Sequence, residues 1–117
     1  MLFRSGKTPY RIMLKDEAPF GFAGLWTHWD DPEGEKIHSF TIITTASNKL
    51  VGKLHNRMPV ILTSDQKDEW LDMDRPQDQV IQMLKPIADN RLKMYPVSSL
   101  VNSPKNDVPD VIKPLMA

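Results

Sequence analysis

Ten of the 117 residues are proline, and this limits every regular element to a short run. Proline lacks an N–H, fixes φ and pushes its predecessor out of the helical region, so it ends helices and stays out of sheet interiors. A loop-rich fold of short elements, one domain at most, is expected. Apolar residues make up 40% and charged residues 26%, a globular balance. No apolar run approaches the roughly 20 residues needed to span a bilayer. Residues 1–7 are too few and too polar for a signal peptide. A soluble, cytoplasmic protein is expected. Cysteine is absent, so the sequence holds no disulfide, thiolate metal site or thiol nucleophile.

Residues 9–15 alternate, with Tyr10, Ile12 and Leu14 on one side and Arg11, Met13 and Lys15 on the other, which predicts a strand with one buried face. Asp16, Glu17 and Pro19 mark a turn. Residues 20–29 are apolar and aromatic and predict a buried strand, with Gly21 and Gly24 allowing a bulge or close packing. A polar loop over 30–36 leads to a β-branched strand over 37–45. Ser47 or Asn48 caps a short helix over 49–54 that stops near His55 and Asn56, and Pro59 confirms the break. Residues 60–62 form a short buried strand. Thr63 and Gln66 have the spacing of a capping box, opening a helix with Trp70 and Leu71 turned inward. A second short helix carries Val80, Ile81 and Leu84 and ends at Pro86, and 92–97 predicts a strand. From Asn102 onward the chain is irregular. The sum is an α+β class: a mixed, mostly antiparallel, barrel-like sheet core with short flanking helices.

The formal net charge is zero, yet the charges are unevenly placed. Arg4, Lys7, Arg11 and Lys15 lie in an N-terminal stretch without acids, and Lys49, Lys53 and Arg57 lie in an acid-free stretch over 37–64. A cationic patch can form from these despite overall neutrality. His55 is the strongest candidate for chemistry, because an imidazole transfers protons near neutral pH. Arg57, two residues on, can hold a phosphate or carboxylate. Thr41, Thr44 and Thr45 can present hydroxyls from a strand, although β-propensity alone accounts for them. His28 and His38 show no metal-ligand spacing with His55, and neither a metal nor a cofactor is expected. The aromatics Phe20, Phe22, Trp26 and Trp29 are expected in the core more than in base stacking.

Several segments together resemble a known family. They are Pro9-Tyr10-Arg11-Ile12, then Phe22-Ala23-Gly24-Leu25-Trp26, then Ser39 to Ala46, then His55-Asn56-Arg57-Met58-Pro59-Val60-Ile61-Leu62, then Trp70-Leu71. The tail pieces Val97 to Asn102 and Asn106-Asp107 fit as well. In order and spacing the chain is similar to the C-terminal half of the SOS-response-associated peptidase family of abasic-site processing proteins. The resemblance implies recognition of abasic sites in single-stranded DNA and a covalent thiazolidine link through an N-terminal cysteine, with an associated peptidase activity. It implies that a glutamate assists opening of the sugar ring and that His55 is the family's acid/base histidine. It places Thr44 and Arg57 near the DNA strand.

Here residue 2 is Leu2, no cysteine is present, and the glutamate motif would precede Met1. Residues 1–102 are thus expected to be half of such a domain, followed by an irregular tail over 103–117. Expected partners are single-stranded DNA with abasic sites and either a separate N-terminal half or a second copy, with no membrane. A non-catalytic single-stranded-DNA-binding module and an inert fragment are the alternatives.

Overall fold

The computed structural model describes residues 8–115 and the backbone of residues 2–5. Lys7 and the side chain of Arg4, two members of the expected cationic N-terminal stretch, lie outside the described residues, as do Met116 and Ala117 of the tail. The class is α+β and antiparallel, as expected, with the strands divided among small open sheets. Strands β1 (Leu2–Ser5), β2 (Thr8–Leu14) and β9 (Leu92–Pro96) form one sheet with β2 in the middle. Three two-stranded pairs make up the rest: β3 (Gly21–Phe22) with β8 (Ile61–Leu62), β4 (Gly24–Asp30) with β5 (Lys36–Ile42), and β6 (Thr44–Ala46) with β7 (Arg57–Pro59).

Those three pairs meet at a single node. Ala23 separates β3 from β4, Ile43 separates β5 from β6, and Val60 separates β7 from β8. Their backbones close a cycle of hydrogen bonds: Ala23 N–H donates to Val60 O (2.9 Å), Val60 N–H to Ile43 O (3.0 Å), and Ile43 N–H to Ala23 O (2.9 Å). Each of the three residues leaves one partner strand and hands the chain to another, with no buried backbone group abandoned. Ala23 and Val60 are fully buried there, with Leu62 beside them and Trp70 and Leu84 packed against the group. Gly24 is required next to the node, because a Cβ at this position would lie 2.7 Å from Thr41 O. The close packing expected of that glycine is therefore present.

The main core joins Ile12, Leu14, Val51, Met58, Ile61 and Leu92, with Phe20, Leu54 and Met94 partly buried against it. Burying each large aliphatic side chain contributes about 1.5–3 kcal/mol. Met13, expected on the solvent side of β2, is also buried. Its strand is the middle one of its sheet, and the tail returns to the same part of the molecule. Tyr95 Oη donates to Ile112 O (2.6 Å) and accepts from Arg11 Nη1 (2.8 Å). Leu115 N–H donates to Pro96 O (2.8 Å). The irregular tail thus has fixed anchors.

Helix α1 (Ser64–Leu71) starts at the expected box, where the Thr63 N–H donates to Gln66 Oε1 (3.1 Å). Trp70 points inward and donates from Nε1 to Gly24 O (3.3 Å), whereas Leu71 is 69% exposed, against expectation. In α2 (Gln77–Ile81), Ile81 is exposed as well.

The largest departure is the β4–β5 hairpin. Its connection is as expected, with Asp31 Oδ1 accepting the N–H groups of Glu33 and Glu35, and Gly34 at φ 87°. Its burial is not. Trp26 (73% exposed) and its cross-strand partner Phe40 (79%) face solvent. Leu25, Trp29 and Ile37 are exposed on the opposite face of the same two strands, and Phe22, just before the node, is exposed too. The core placement of Trp26, Trp29 and Phe22 is therefore corrected. Apolar sequence marks these strands for burial, but among the described residues nothing covers them.

The whole surface shows the same imbalance. The accessible area is 8579 Å², against about 6,500 Å² for a compact monomer of this mass. The radius of gyration is 17.1 Å, against about 13 Å for a compact chain of this length.

Candidate functional site

The site is built where β6 and β7 pair, at the edge of the main core. Thr44 lies opposite Pro59, Thr45 opposite Met58, and Ala46 opposite Arg57. Pro59 has no N–H to donate, and in a two-stranded edge pair it is tolerated. Met58 is buried, so its neighbour Arg57 points outward by strand alternation. The Arg57 guanidinium folds across to β6, where Nη2 donates to both Thr44 O and Thr44 Oγ1 at 2.9 Å. Its remaining N–H groups stay on the exposed side, positioned by this double anchor.

His55 immediately precedes β7. Its Nδ1 lies 3.0 Å from Arg57 N and 3.1 Å from Arg57 O. A bare Nδ1 accepts the Arg57 N–H, and a protonated Nδ1 donates to the Arg57 carbonyl. Which of the two Arg57 main-chain groups pairs with Nδ1 follows from the ring tautomer. With Nδ1 bare, the neutral ring carries its proton on Nε2, the side away from Arg57. One ring nitrogen of His55 is thereby oriented by the main chain of Arg57.

The loop before His55 is braced at several points. Residues Val51–Lys53 form one turn of 3-10 helix in place of the longer expected helix. Of the two expected caps, Asn48 acts: its Oδ1 accepts the Val51 N–H (2.9 Å), and its Nδ2 donates to Ile87 O (3.0 Å). The Asp89 carboxylate accepts from Lys49 N–H (2.7 Å) and Leu50 N–H (3.3 Å). Lys49 and Lys53 project from this loop, both exposed, as does Arg57. The structure thus brings together His55, Thr44 and Arg57, with Lys49 and Lys53 on the adjoining loop.

It sets the other candidates apart. His28 and His38 face each other across the β4–β5 hairpin with ring centroids 6.1 Å apart. Among the described residues no group of three or more side chains could hold a metal. None of the described helices is long and apolar enough to cross a membrane. Sequence reasoning missed Asp89, because its contacts lie 40 residues back along the chain and no local spacing reveals them.

The motif order that suggested a family is matched over nearly its full extent: residues 3–104 correspond to the SOS response associated peptidase (SRAP) family. The chain belongs to this family. SRAP relatives include the abasic site processing protein YoqW of Bacillus subtilis, 45% identical over 108 residues, a match covering 92% of this chain and 48% of the relative. The abasic site processing protein HMCES of Gallus gallus is 36% identical over 96 residues, covering 80% of this chain and 28% of that protein. A crystal structure of a Bacteroides thetaiotaomicron protein superposes with a TM-score of 0.82 at 30% identity, covering 98% of this chain and 52% of the other. One from Bordetella bronchiseptica gives 0.70 at 28%, covering 84% and 51%. This SRAP chain spans about half the length of YoqW and of both solved structures.

Proposed function

We propose that this chain is the histidine-bearing half of an SRAP protein that acts on abasic sites in single-stranded DNA in the cytoplasm, as part of a DNA-damage response. The observation that carries the reading is the clustering of His55, Arg57 and Thr44 on one β6–β7 edge in a chain matched to this family. Arg57, anchored through Nη2, offers its other N–H groups to a phosphate, with Lys49 and Lys53 extending the cationic track. Thr44 sets the Arg57 guanidinium beside the strand.

In the covalent reaction of this reading, the abasic sugar opens to an aldehyde. An α-amine then adds to the carbonyl carbon and water leaves. A thiol adds to the resulting imine carbon and closes the thiazolidine. The glutamate assists ring opening, and His55 acts as the acid/base group and in reversal, with Nδ1 held by Arg57. The thiol must come from outside these 117 residues, because the sequence has no cysteine, and on the family resemblance the assisting glutamate comes with it.

The other half of the SRAP fold is the partner that fits. Two faces of the β4–β5 hairpin expose Trp26, Phe40, Leu25, Trp29 and Ile37. A two-stranded hairpin alone is marginal in water, and apolar surface of this kind marks an interface. Relatives of twice the length support that occupant, whether it is carried on the same polypeptide or on a separate one. Association of two copies through the hairpin is the competing outcome.

The exposed cluster Lys49, Lys53 and Arg57 favours one further reading, a binding module without catalysis. Both DNA readings are tested by fluorescence anisotropy on single-stranded oligonucleotides with and without one abasic site. Binding that falls steeply with salt supports phosphate contact. Absent or salt-independent binding by the chain alone contradicts the binding module, and it contradicts the first reading only if it persists when the other half is added.

A further inference from the structure

We propose that Asp89 is a positioning residue for His55, acting through the Val51–Lys53 turn by a hydrogen bond to Lys49, 40 residues away in sequence. The inference rests on the reading of His55 as the acid/base group. Asp89 lies beyond both α-helices, at the start of a 3-10 turn over Asp89–Arg91 that leads into β9. Its Oδ1 takes the Lys49 N–H at 2.7 Å and the Leu50 N–H at 3.3 Å. These amides sit at the opening of the turn, where N–H groups have no partner within the helix. The Asp89 oxygen there supplies the acceptor that the turn itself lacks.

The turn passes that anchoring on to His55. Val51 is fully buried in the main core. Its N–H is held by Asn48 Oδ1 (2.9 Å), and its carbonyl accepts the N–H groups of Leu54 (2.8 Å) and His55 (3.0 Å). On the far side, Ser47 N–H donates to Asn56 O (3.1 Å) and closes the loop. The His55 backbone therefore hangs from Val51 O, and its ring from Arg57 N. Asn48 repeats the outside brace one residue before Lys49, with Nδ2 on Ile87 O (3.0 Å). Two polar side-chain ties thus join the His55 loop to the 87–89 segment. Release of the Asp89 tie lets the turn shift, and the Nδ1 contact with Arg57 loosens with it.

The discriminating feature is the position of the acceptor oxygen. Asp89→Asn keeps an oxygen at the same reach without charge. Asp89→Glu keeps the charge but moves the oxygen one methylene further out. Asp89→Ala removes it. The readout is the His55 imidazole in long-range ¹H–¹⁵N correlation spectra of the full chain, with the Lys49 and Leu50 amides as markers of the contact. The expected result is a near-native His55 pattern in Asp89→Asn. In Asp89→Glu and Asp89→Ala the His55 signals move toward those of the exposed rings of His28 and His38. The Asn and Glu variants both retain an acceptor, so the comparison holds if the alanine variant does not fold. The inference is overturned if the Lys49 and Leu50 amides shift while the His55 signals do not, or if Asn and Glu variants behave alike. Crosslinking that survives His55→Ala would instead overturn the role of His55 and leave this spectroscopic result standing.

Discussion

The guanidinium of Arg57 reaches across the β6–β7 pair and donates from one nitrogen to both the carbonyl and the hydroxyl of Thr44, each at 2.9 Å. This anchoring turns a flexible cation into an oriented one, since less rotamer freedom remains to be given up when a phosphate arrives. Arg57→Ala is expected to reduce the salt slope of single-stranded DNA binding by about 0.7, because one phosphate is no longer neutralised. Arg57→Lys restores the slope but not the affinity, because an ammonium cannot reproduce the fork. Anisotropy titrations over a range of salt concentrations decide the matter, and an unchanged slope in Arg57→Ala removes Arg57 from the DNA path.

Met58, the buried neighbour of Arg57, accepts the Asn48 N–H on its sulfur at 3.4 Å. Met58→Ala therefore creates a cavity and strands a donor beside the His55 loop. A loss of about 2–5 kcal/mol is expected, which for a chain with so much open surface is most of its stability. Urea denaturation followed by tryptophan fluorescence measures it. A loss below about 1 kcal/mol would mean that the site collapses freely.

Gly24→Ala tests the node at which three strand pairs meet. A Cβ at residue 24 lies 2.7 Å from a backbone oxygen of Thr41, so β4 must separate from β5 or the node must open. A destabilisation of about 1–3 kcal/mol is expected, together with faster amide exchange at Ala23, Ile43 and Val60. Native exchange rates at those three amides would show that the node tolerates the methyl group.

The exposed hairpin gives a prediction of opposite character. Trp26→Ser is expected to change the stability of this chain alone by no more than about 0.5 kcal/mol, as at other exposed positions. The same change is expected to weaken association with the other half of the fold by at least tenfold. Thermal melts and analytical ultracentrifugation, alone and in the mixture, separate the two effects. If Trp26→Ser instead abolishes a dimer of this chain, the hairpin joins two copies.

Much of this was legible in the sequence because it depends on neighbours. The Thr63–Gln66 box, the polar loop closed by Asp31 and Gly34, and the β2 strand each follow from local spacing. The cap at Asn48 was within reach for the same reason, whereas its second bond to Ile87 was not. Strand β7 was hidden by Pro59, which reads as a break and is in fact tolerated at an edge. The break at Ile43 inside a β-branched run has no local signal, because its cause is the hydrogen bonds to Ala23 and Val60. Trp26 and Trp29 failed differently: their apolarity states that burial is favourable and says nothing of which residues provide it.

Crosslinking measures whether this chain contributes the working histidine of an abasic-site SRAP protein. Single-stranded DNA with one abasic site is incubated with the chain, with a cysteine-bearing N-terminal SRAP half, and with both, and is then run on a denaturing gel. A shifted band is expected with full yield only in the mixture, and it is abolished or strongly slowed with His55→Ala. A mixture that gives no more product than the cysteine-bearing half alone, or a product indifferent to His55→Ala, would contradict it.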